Sequence, residues 1–370
     1  MKASACAISW TELFAAEGAD DFKLEMRVIQ KGGQPFIMLP PAPEMAAKGL
    51  SLYPAQTRFA RAAKRILGAA LLTRIPVPLR RVAIQLSRND PFARFLIKLA
   101  GGKSQKIPPF AIIAGNPRTE GRRFLVLLFD EYHRPAFLVK AGVGEAAKRL
   151  IQAERAFLRG PASGFSGLPA LYESLVTERV EALALAYVEG ESPTGENRPV
   201  MAKLLGGWLD RNQTIHAGEV PAWQALEKAH GADPMFRHIA QKLADCAFHP
   251  TLFHGDFAPW NIQVSRTDGA WIVLDGERGN RVGFPAWDWF QYVVQTGILV
   301  EKLTAQAIVR RVENLLADAS FLHYAESAGI RGSEKTLATA YLFHYVNMVR
   351  PSEGGKTAKA LLSILCDRFL

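Results

Sequence analysis

TLFHGDFAPWNIQV at residues 251–264, followed by WIVLDGE at 271–277, concentrates the chemistry of this chain. Asp256 and Asn261 lie five residues apart on a loop that leads into a short apolar run, and a second short run then delivers Asp275. Two oxygen ligands at adjacent strand ends, Asn261 and Asp275, can hold Mg²⁺ against phosphate oxygens, because Mg²⁺ keeps few protein ligands. Asp256 is then left to orient an attacking hydroxyl and accept its proton. An isolated His-Gly-Asp reads more often as a turn at a strand end, with the aspartate capping a neighbouring loop. His254-Gly255-Asp256 with Asn261, and an aspartate fourteen residues after Asn261 at the end of an apolar run, is a combination that favours phosphoryl transfer.

The rest of the chain is compatible with a globular protein of two or three domain-sized units: 370 residues, 49% of them hydrophobic, 22% charged and no low-complexity tract. Cys6, Cys246 and Cys366 are far apart and match no metal-ligand spacing, which suits a reducing compartment better than a disulfide framework. The N-terminus carries acids where a signal peptide needs an apolar run, and no stretch approaches a membrane span, so a cytoplasmic protein is expected. The formal charge of +10 is unevenly spread: residues 51–100 hold ten Lys/Arg and one acid, Asp90, whereas residues 251–370 hold twelve of each sign.

KLEMRVIQ and PFIML near the N-terminus read as strands, and the helical spacing of Phe59, Ala62, Ala63, Ile66, Ala69 and Ala70 predicts a basic helix from Pro54 to Leu72. PFARFLIKLAGG predicts a second. Residues 110–114, 123–129 and 136–140 read as an antiparallel meander, followed by a helix over 145–158 and strands near 170–176 and 181–188. Beyond that the pattern is mainly helical, broken by short strands around 261–264 and 271–274. The expected organisation is an N-terminal extension (1–105) with basic amphipathic helices at 54–100, a β-rich nucleotide-binding part (106–188) and a mainly helical part (189–370).

HGDFAPWN, LDGE and the later GFPAWDW resemble the aminoglycoside phosphotransferase and choline kinase-like family, relatives of the protein kinases. The resemblance covers about 110–370 and is specific only over 254–289. It implies an α+β, bilobal protein kinase-like fold with a small β-rich N-lobe and a larger helical C-lobe, and ATP and Mg²⁺ as cofactors. Asp256 becomes the catalytic base, Asn261 and Asp275 the Mg²⁺ ligands, and His254 and Asp288 structural supports of the loop. Two departures stand out: Gly276 replaces the tryptophan usual after the metal aspartate, and the spacing from Asp275 to Asp288 is one residue longer than the commonest pattern, with Phe284 where an acid is usual. The same resemblance assigns Lys140, at the end of AFLVK, to the nucleotide phosphates, held by Glu154 fourteen residues later. Glu145 is the rival acid, but it sits at the helix start, where the dipole explains it. Gly115, in the turn GNPRTEG, becomes the phosphate-covering loop, with an ordinary hairpin turn the equal alternative; Tyr187 and Val188 become the hinge beside adenine, with a plain buried strand as theirs.

The expected activity is phosphorylation of a small-molecule hydroxyl. An electrically neutral C-terminal part does not suit polycationic aminoglycosides, so a neutral or anionic acceptor is favoured, a sugar or glycan intermediate of envelope polysaccharide synthesis. An aminoglycoside phosphotransferase, or a weakly catalytic nucleotide-binding scaffold, are the alternatives. Trp260 and Trp287 flank motif residues and are candidates to wall the acceptor site. The basic stretch 51–100 predicts a solvated face with its apolar side packed inward; a peripheral membrane or anionic contact ranks next, and nucleic acid is not expected.

Overall fold

The computed structural model describes residues 12–14, 22–31, 34–53, 58–73, 77–102, 106–114, 122–159, 164–349 and 355–370. The chain divides into two compact units, the first comprising residues 1–155 and 170–187, the second 156–169 and 188–370.

The first unit is built on eight strands: β1 (Phe22–Lys31), β2 (Gln34–Leu39), β3 (Arg80–Leu86), β4 (Phe110–Ala114), β5 (Arg122–Phe129), β6 (Pro135–Val143), β7 (Leu171–Val176) and β8 (Val180–Ala186). They form one antiparallel sheet in the order β3-β1-β2-β4-β5-β6-β8-β7. Among the described residues four α-helices join it: α1 (Pro43–Gly49), α2 (Arg58–Leu72), α3 (Pro91–Leu99) and α4 (Glu145–Leu158). Period-two alternation sorts the strand residues between two cores. Phe110, Ile112, Val126, Val139 and Ala141 pack with Phe92, Leu96 and Leu99 of α3. Ala111, Ile113 and Leu127 pack with Met45 and Ala46 of α1 and Leu71 of α2.

This arrangement corrects the expected organisation at one point. The residues assigned to an extension supply three strands of the same sheet, and β2 is stitched to β4 through Ile37↔Ile113 and Met38↔Ile112. The reason is physical: β1 buries one apolar face, Met26 and Val28 with Phe22 and Leu24, β2 is apolar on both faces, and an unpaired β4 edge would leave backbone groups of a buried strand without partners. Strand β3, a basic stretch whose N-terminal half is exposed, went unread in the sequence. Asp90, the one acid of 51–100, is buried; it caps α3 by accepting from the Ala93 N–H at 2.7 Å and pairs with Arg179 at 2.9 Å. The first basic helix begins at Arg58, and its expected start at 54–57 lies outside the described residues.

Among the described residues the second unit carries eight α-helices: α5 (Arg198–Gly206), α6 (Pro221–His230), α7 (Pro234–Leu243), α8 (Trp287–Gln295), α9 (Ala305–Leu316), α10 (Ala319–Ser327), α11 (Glu334–His344) and α12 (Gly355–Phe369). Short strands punctuate them: β9 (Gly190–Glu191), β10 (Ile215–His216), β11 (Ala247–Phe248), β12 (Thr251–Phe253), β13 (Ile262–Ser265), β14 (Trp271–Val273) and β15 (Asn280–Gly283). These pair as β10-β11, β12-β15 and β14-β13-β9. The mixed α+β class matches the expectation, with the sheet in one unit and most helices in the other. No helix among the described residues is long and apolar enough to cross a membrane.

Candidate active site

Residues 254–261 form a loop leaving β12 and re-entering as β13. Its turn depends on Gly255, whose φ is +74° and whose position leaves no room for a side chain: a Cβ would lie 2.7 Å from the Arg278 carbonyl oxygen. The loop is braced from α8. One Asp288 carboxylate oxygen accepts from the His254 N–H at 2.8 Å and the other from the Gly255 N–H at 3.2 Å. Burial raises the Asp288 pKa to about 7, against the lowering effect of those two N–H donors and with a further push from Asp256. His254 is fully buried and its Nδ1 accepts from the Asp256 N–H at 3.3 Å, which assigns the ring proton to Nε2.

Asp256 and Asn261 are brought together. The Asn261 amide nitrogen donates to the Asp256 backbone oxygen at 2.9 Å and to its Oδ2 at 3.0 Å, which leaves Asn261 Oδ1 at the other end of the amide as a ligand oxygen. The second Asp256 oxygen, Oδ1, accepts from Gln291 Nε2 at 3.4 Å, and Gln291 is itself oriented by the Tyr341 hydroxyl, which donates to its Oε1 at 2.5 Å. Gln291 and Tyr341 escaped the sequence reading. Asp288 and Gln291 are spaced i, i+3 on the otherwise apolar WDWFQYVV, a polar stripe that offered a signal for the glutamine; Tyr341 offered none.

Asp275 reaches the same neighbourhood through the β13–β14 ladder, in which Ile262 pairs with Val273 and the Leu274 N–H donates to the Asn261 carbonyl at 2.7 Å. Asp275 itself adopts φ 64°, ψ 53°, a left-handed conformation that costs a non-glycine residue energy and recurs at functional sites. The glycine that follows it has a packing cause. A Cβ at Gly276 would lie 2.5 Å from the Phe157 ring, and one at Gly279 would lie 2.3 Å from it. Phe157 thus occupies the space a tryptophan at 276 would need. Phe284 is equally explained: it is fully buried among Trp223, Phe248 and Trp287. Trp287 is buried in that cluster, so it walls no acceptor site, whereas Trp260 is 37% exposed on the loop.

Among the described residues no three His, Cys, Asp or Glu side chains cluster as a metal site. The donor set Asn261 plus Asp275 would suit Mg²⁺ arriving with a nucleotide, because that ion favours hard oxygen donors and needs few from the protein. The oriented Asn261 amide is the observation that fits the ion, because its nitrogen is already engaged by Asp256 and its oxygen remains to ligate.

In the first unit, Lys140 lies on β6 between Leu125 of β5 and Leu183 of β8, on the face opposite Val139 and Ala141. Its Nζ donates to Glu154 Oε1 of α4 at 2.7 Å, and both residues are buried. Gly142 permits the close approach of α4, since a Cβ there would lie 2.7 Å from the Ala147 carbonyl oxygen. Glu145 pairs instead with Lys148 at the exposed start of the helix. Tyr187 and Val188 are half-buried and mark the point where the chain passes from the first unit to the second; the Tyr187 N–H donates to the Ala136 carbonyl at 3.1 Å. Gly115 and its turn lie outside the described residues.

No family model and no curated protein matches the sequence. Among solved structures, the chain is similar to a protein described as a fructosamine-3-kinase from Haemophilus somnus 129PT, with 12% identity, 74% of this chain and 96% of that one covered, and a TM-score of 0.46. It is similar to a thermostable mutant of the aminoglycoside phosphotransferase APH(4)-Ia in ternary complex with ADP and hygromycin B, with 11% identity, coverage of 74% and 97%, and a TM-score of 0.45. The choline kinase of Cryptosporidium parvum Iowa II is a third, with 9% identity, coverage of 70% and 88%, and a TM-score of 0.43. Likeness at this level leaves the chemistry of this chain to its own residues.

Proposed function

We propose that this chain transfers the γ-phosphoryl group of magnesium-bound ATP to a hydroxyl of a small, neutral or anionic acceptor, a sugar or glycan intermediate such as those of envelope polysaccharide synthesis. The observation that carries this reading is the orientation of Asp256 and Asn261 by a single amide: one end holds the carboxylate, the other presents an oxygen.

Asp256, oriented by Asn261 and Gln291, accepts the proton of the acceptor hydroxyl as its oxygen bonds to the γ-phosphorus, while the bond from that phosphorus to the β,γ-bridging oxygen breaks and ADP leaves. Asn261 and Asp275 would hold the cation, which would supply neutralisation of phosphate charge. Lys140 supplies a fixed ammonium to the nucleotide phosphates, and Glu154 keeps it in place. His254 and Asp288 shape the loop and stand outside the chemistry. The neutral charge balance of residues 251–370 supports an acceptor that is not a polycation.

The test is Mg²⁺-dependent ATP consumption over a panel of sugars and aminoglycosides, with the product identified by phosphorus NMR. Asp256→Asn is expected to lower kcat by about 10²–10⁴-fold with little change in nucleotide affinity. Efficient phosphorylation of kanamycin-type compounds with no activity on sugars overturns the acceptor assignment. Tight nucleotide binding with no turnover on any acceptor overturns the enzyme itself in favour of a scaffold.

A further inference from the structure

Helix α2 turns its charged and apolar sides in an unexpected sense. Towards α1 it presents Leu71, buried, and Leu67, packed on the core, and Gly68 lies against Leu50. On that same side Lys64 donates to the carbonyls of Ser51 at 3.3 Å and Tyr53 at 2.8 Å. The outward side carries Phe59, 83% exposed, and Ile66, 71% exposed, with Ala62 and Ala69 exposed between and beyond them. Positions 59, 62, 66 and 69 are spaced i, i+3, i+7 and i+10, so they form one stripe along the helix. Arg61 and Arg65 are exposed along one edge of it, beside Leu72 at 57%. The expected inward packing of the Phe59–Ile66 side is therefore corrected: the Leu67–Leu71 side faces the core.

Side chains as large as Phe59 and Ile66 gain only when taken out of water, and the cover must also tolerate guanidinium groups at its rim. Residues 51–89 contain eight Lys/Arg and no acid. A second copy of the chain is a poor cover, because a two-fold contact would set Arg61 and Arg65 against their own equivalents. Nucleic acid answers the charge but leaves the aromatic and aliphatic side chains wet. A bilayer containing anionic lipid answers both, with acyl chains at the depth of the apolar stripe and phosphates at the height of the arginines.

We propose that the Phe59–Ala62–Ile66–Ala69 stripe of α2, edged by Arg61 and Arg65, docks this protein on the surface of an anionic bilayer. It stands independently of the phosphotransfer reading, since docking needs no turnover.

The experiment is co-sedimentation of the full chain with vesicles of phosphatidylcholine alone and of phosphatidylcholine mixed with phosphatidylglycerol. Binding is expected to the anionic vesicles, weakening as salt rises. The double variants Phe59→Ser/Ile66→Ser and Arg61→Glu/Arg65→Glu are each expected to lower partitioning by at least about tenfold, with Tm unchanged because these side chains are exposed. Phe59→Trp, which keeps the stripe apolar, is expected to show a blue-shifted fluorescence component on anionic vesicles only. Failure of the wild type to bind them, or undiminished binding by both double variants, overturns the proposal. So does a wild-type dimer that Phe59→Ser/Ile66→Ser dissociates, which would give this face to a second copy, or a preference for nucleic acid over vesicles.

Discussion

Lys140 and Glu154 meet at 2.7 Å with side chains only 7% and 1% exposed, so what matters energetically is the charge left behind when one partner is removed. Glu154→Ala is expected to cost about 3–5 kcal/mol of stability, and Lys140→Met/Glu154→Leu, which removes both charges, clearly less. Urea unfolding of the two variants checks this; equal losses would show that the lost packing, not the stranded charge, sets the cost. Asp288 and His344 act on pH dependence in opposite senses. Burial raises Asp288 from 3.8 to about 7, so within that window the folded chain holds a proton that the unfolded chain has released, and stability falls as pH rises. Burial lowers His344, packed against Trp287, from 6.5 to about 4, so there the unfolded chain holds the extra proton and stability falls as pH drops. Where the windows overlap the slopes cancel, each being at most about 1.4 kcal/mol per pH unit. Asp288→Asn should leave a urea midpoint that rises between about pH 4.5 and about pH 6.5, and His344→Phe one that falls over the same range. At this scale Asp256, Asn261 and Asp275 were readable because phosphoryl transfer restricts both residue type and order. Gln291 was not, because its part depends on which face of α8 meets the loop.

Phe157 and the glycines at 276 and 279 show one element shaping another. The ring fills the space over both glycines and lies edge-on to His254 at 6.2 Å, so it packs against both the turn that follows Asp275 and the His254 loop. Gly276→Ala forces overpacking against that ring and is expected to cost about 1–3 kcal/mol. Phe157→Leu relieves it, and a double-mutant cycle should show coupling of about 0.5–3 kcal/mol; simple additivity would mean that the turn, not the ring, excludes the side chain. The glycine after Asp275 could be read in the sequence only as a departure, because its cause lies more than a hundred residues away. Helix α2 was misread for a related reason. Its period was plain, but the Phe59–Ile66 stripe and the Leu67–Leu71 side are comparably apolar, and only the packing against α1 decides which of them turns inward.

Across the whole molecule, the β-rich and helical parts and the boundary near residue 188 follow from periodicity, whereas the order of the sheet does not. Antiparallel strands are recognised locally, but the partner of an edge is chosen by distant sequence, and β2 pairs with β4 across about 75 residues. The consequence is testable, because an extension can be removed and an integral part of a sheet cannot. Cutting before residue 106 removes β1–β3 and α1–α3, and with them Met26, Val28, Ile37, Leu39, Met45, Ile84, Phe92, Phe95, Leu96 and Leu99, all buried. At about 1.5–3 kcal/mol for each large apolar side chain, the loss exceeds the roughly 5–15 kcal/mol that holds an ordinary domain together. Removal also bares the β4 edge, a strand whose Phe110, Ala111, Ile112 and Ile113 are buried, and such an edge pairs with whatever strand it meets. The chain 106–370 is therefore expected to aggregate or to lack cooperative melting of its sheet, with β5 and β6 open to proteolysis. A soluble 106–370 fragment that melts cooperatively within a few degrees of the full chain would return the first 105 residues to the status of an appendage.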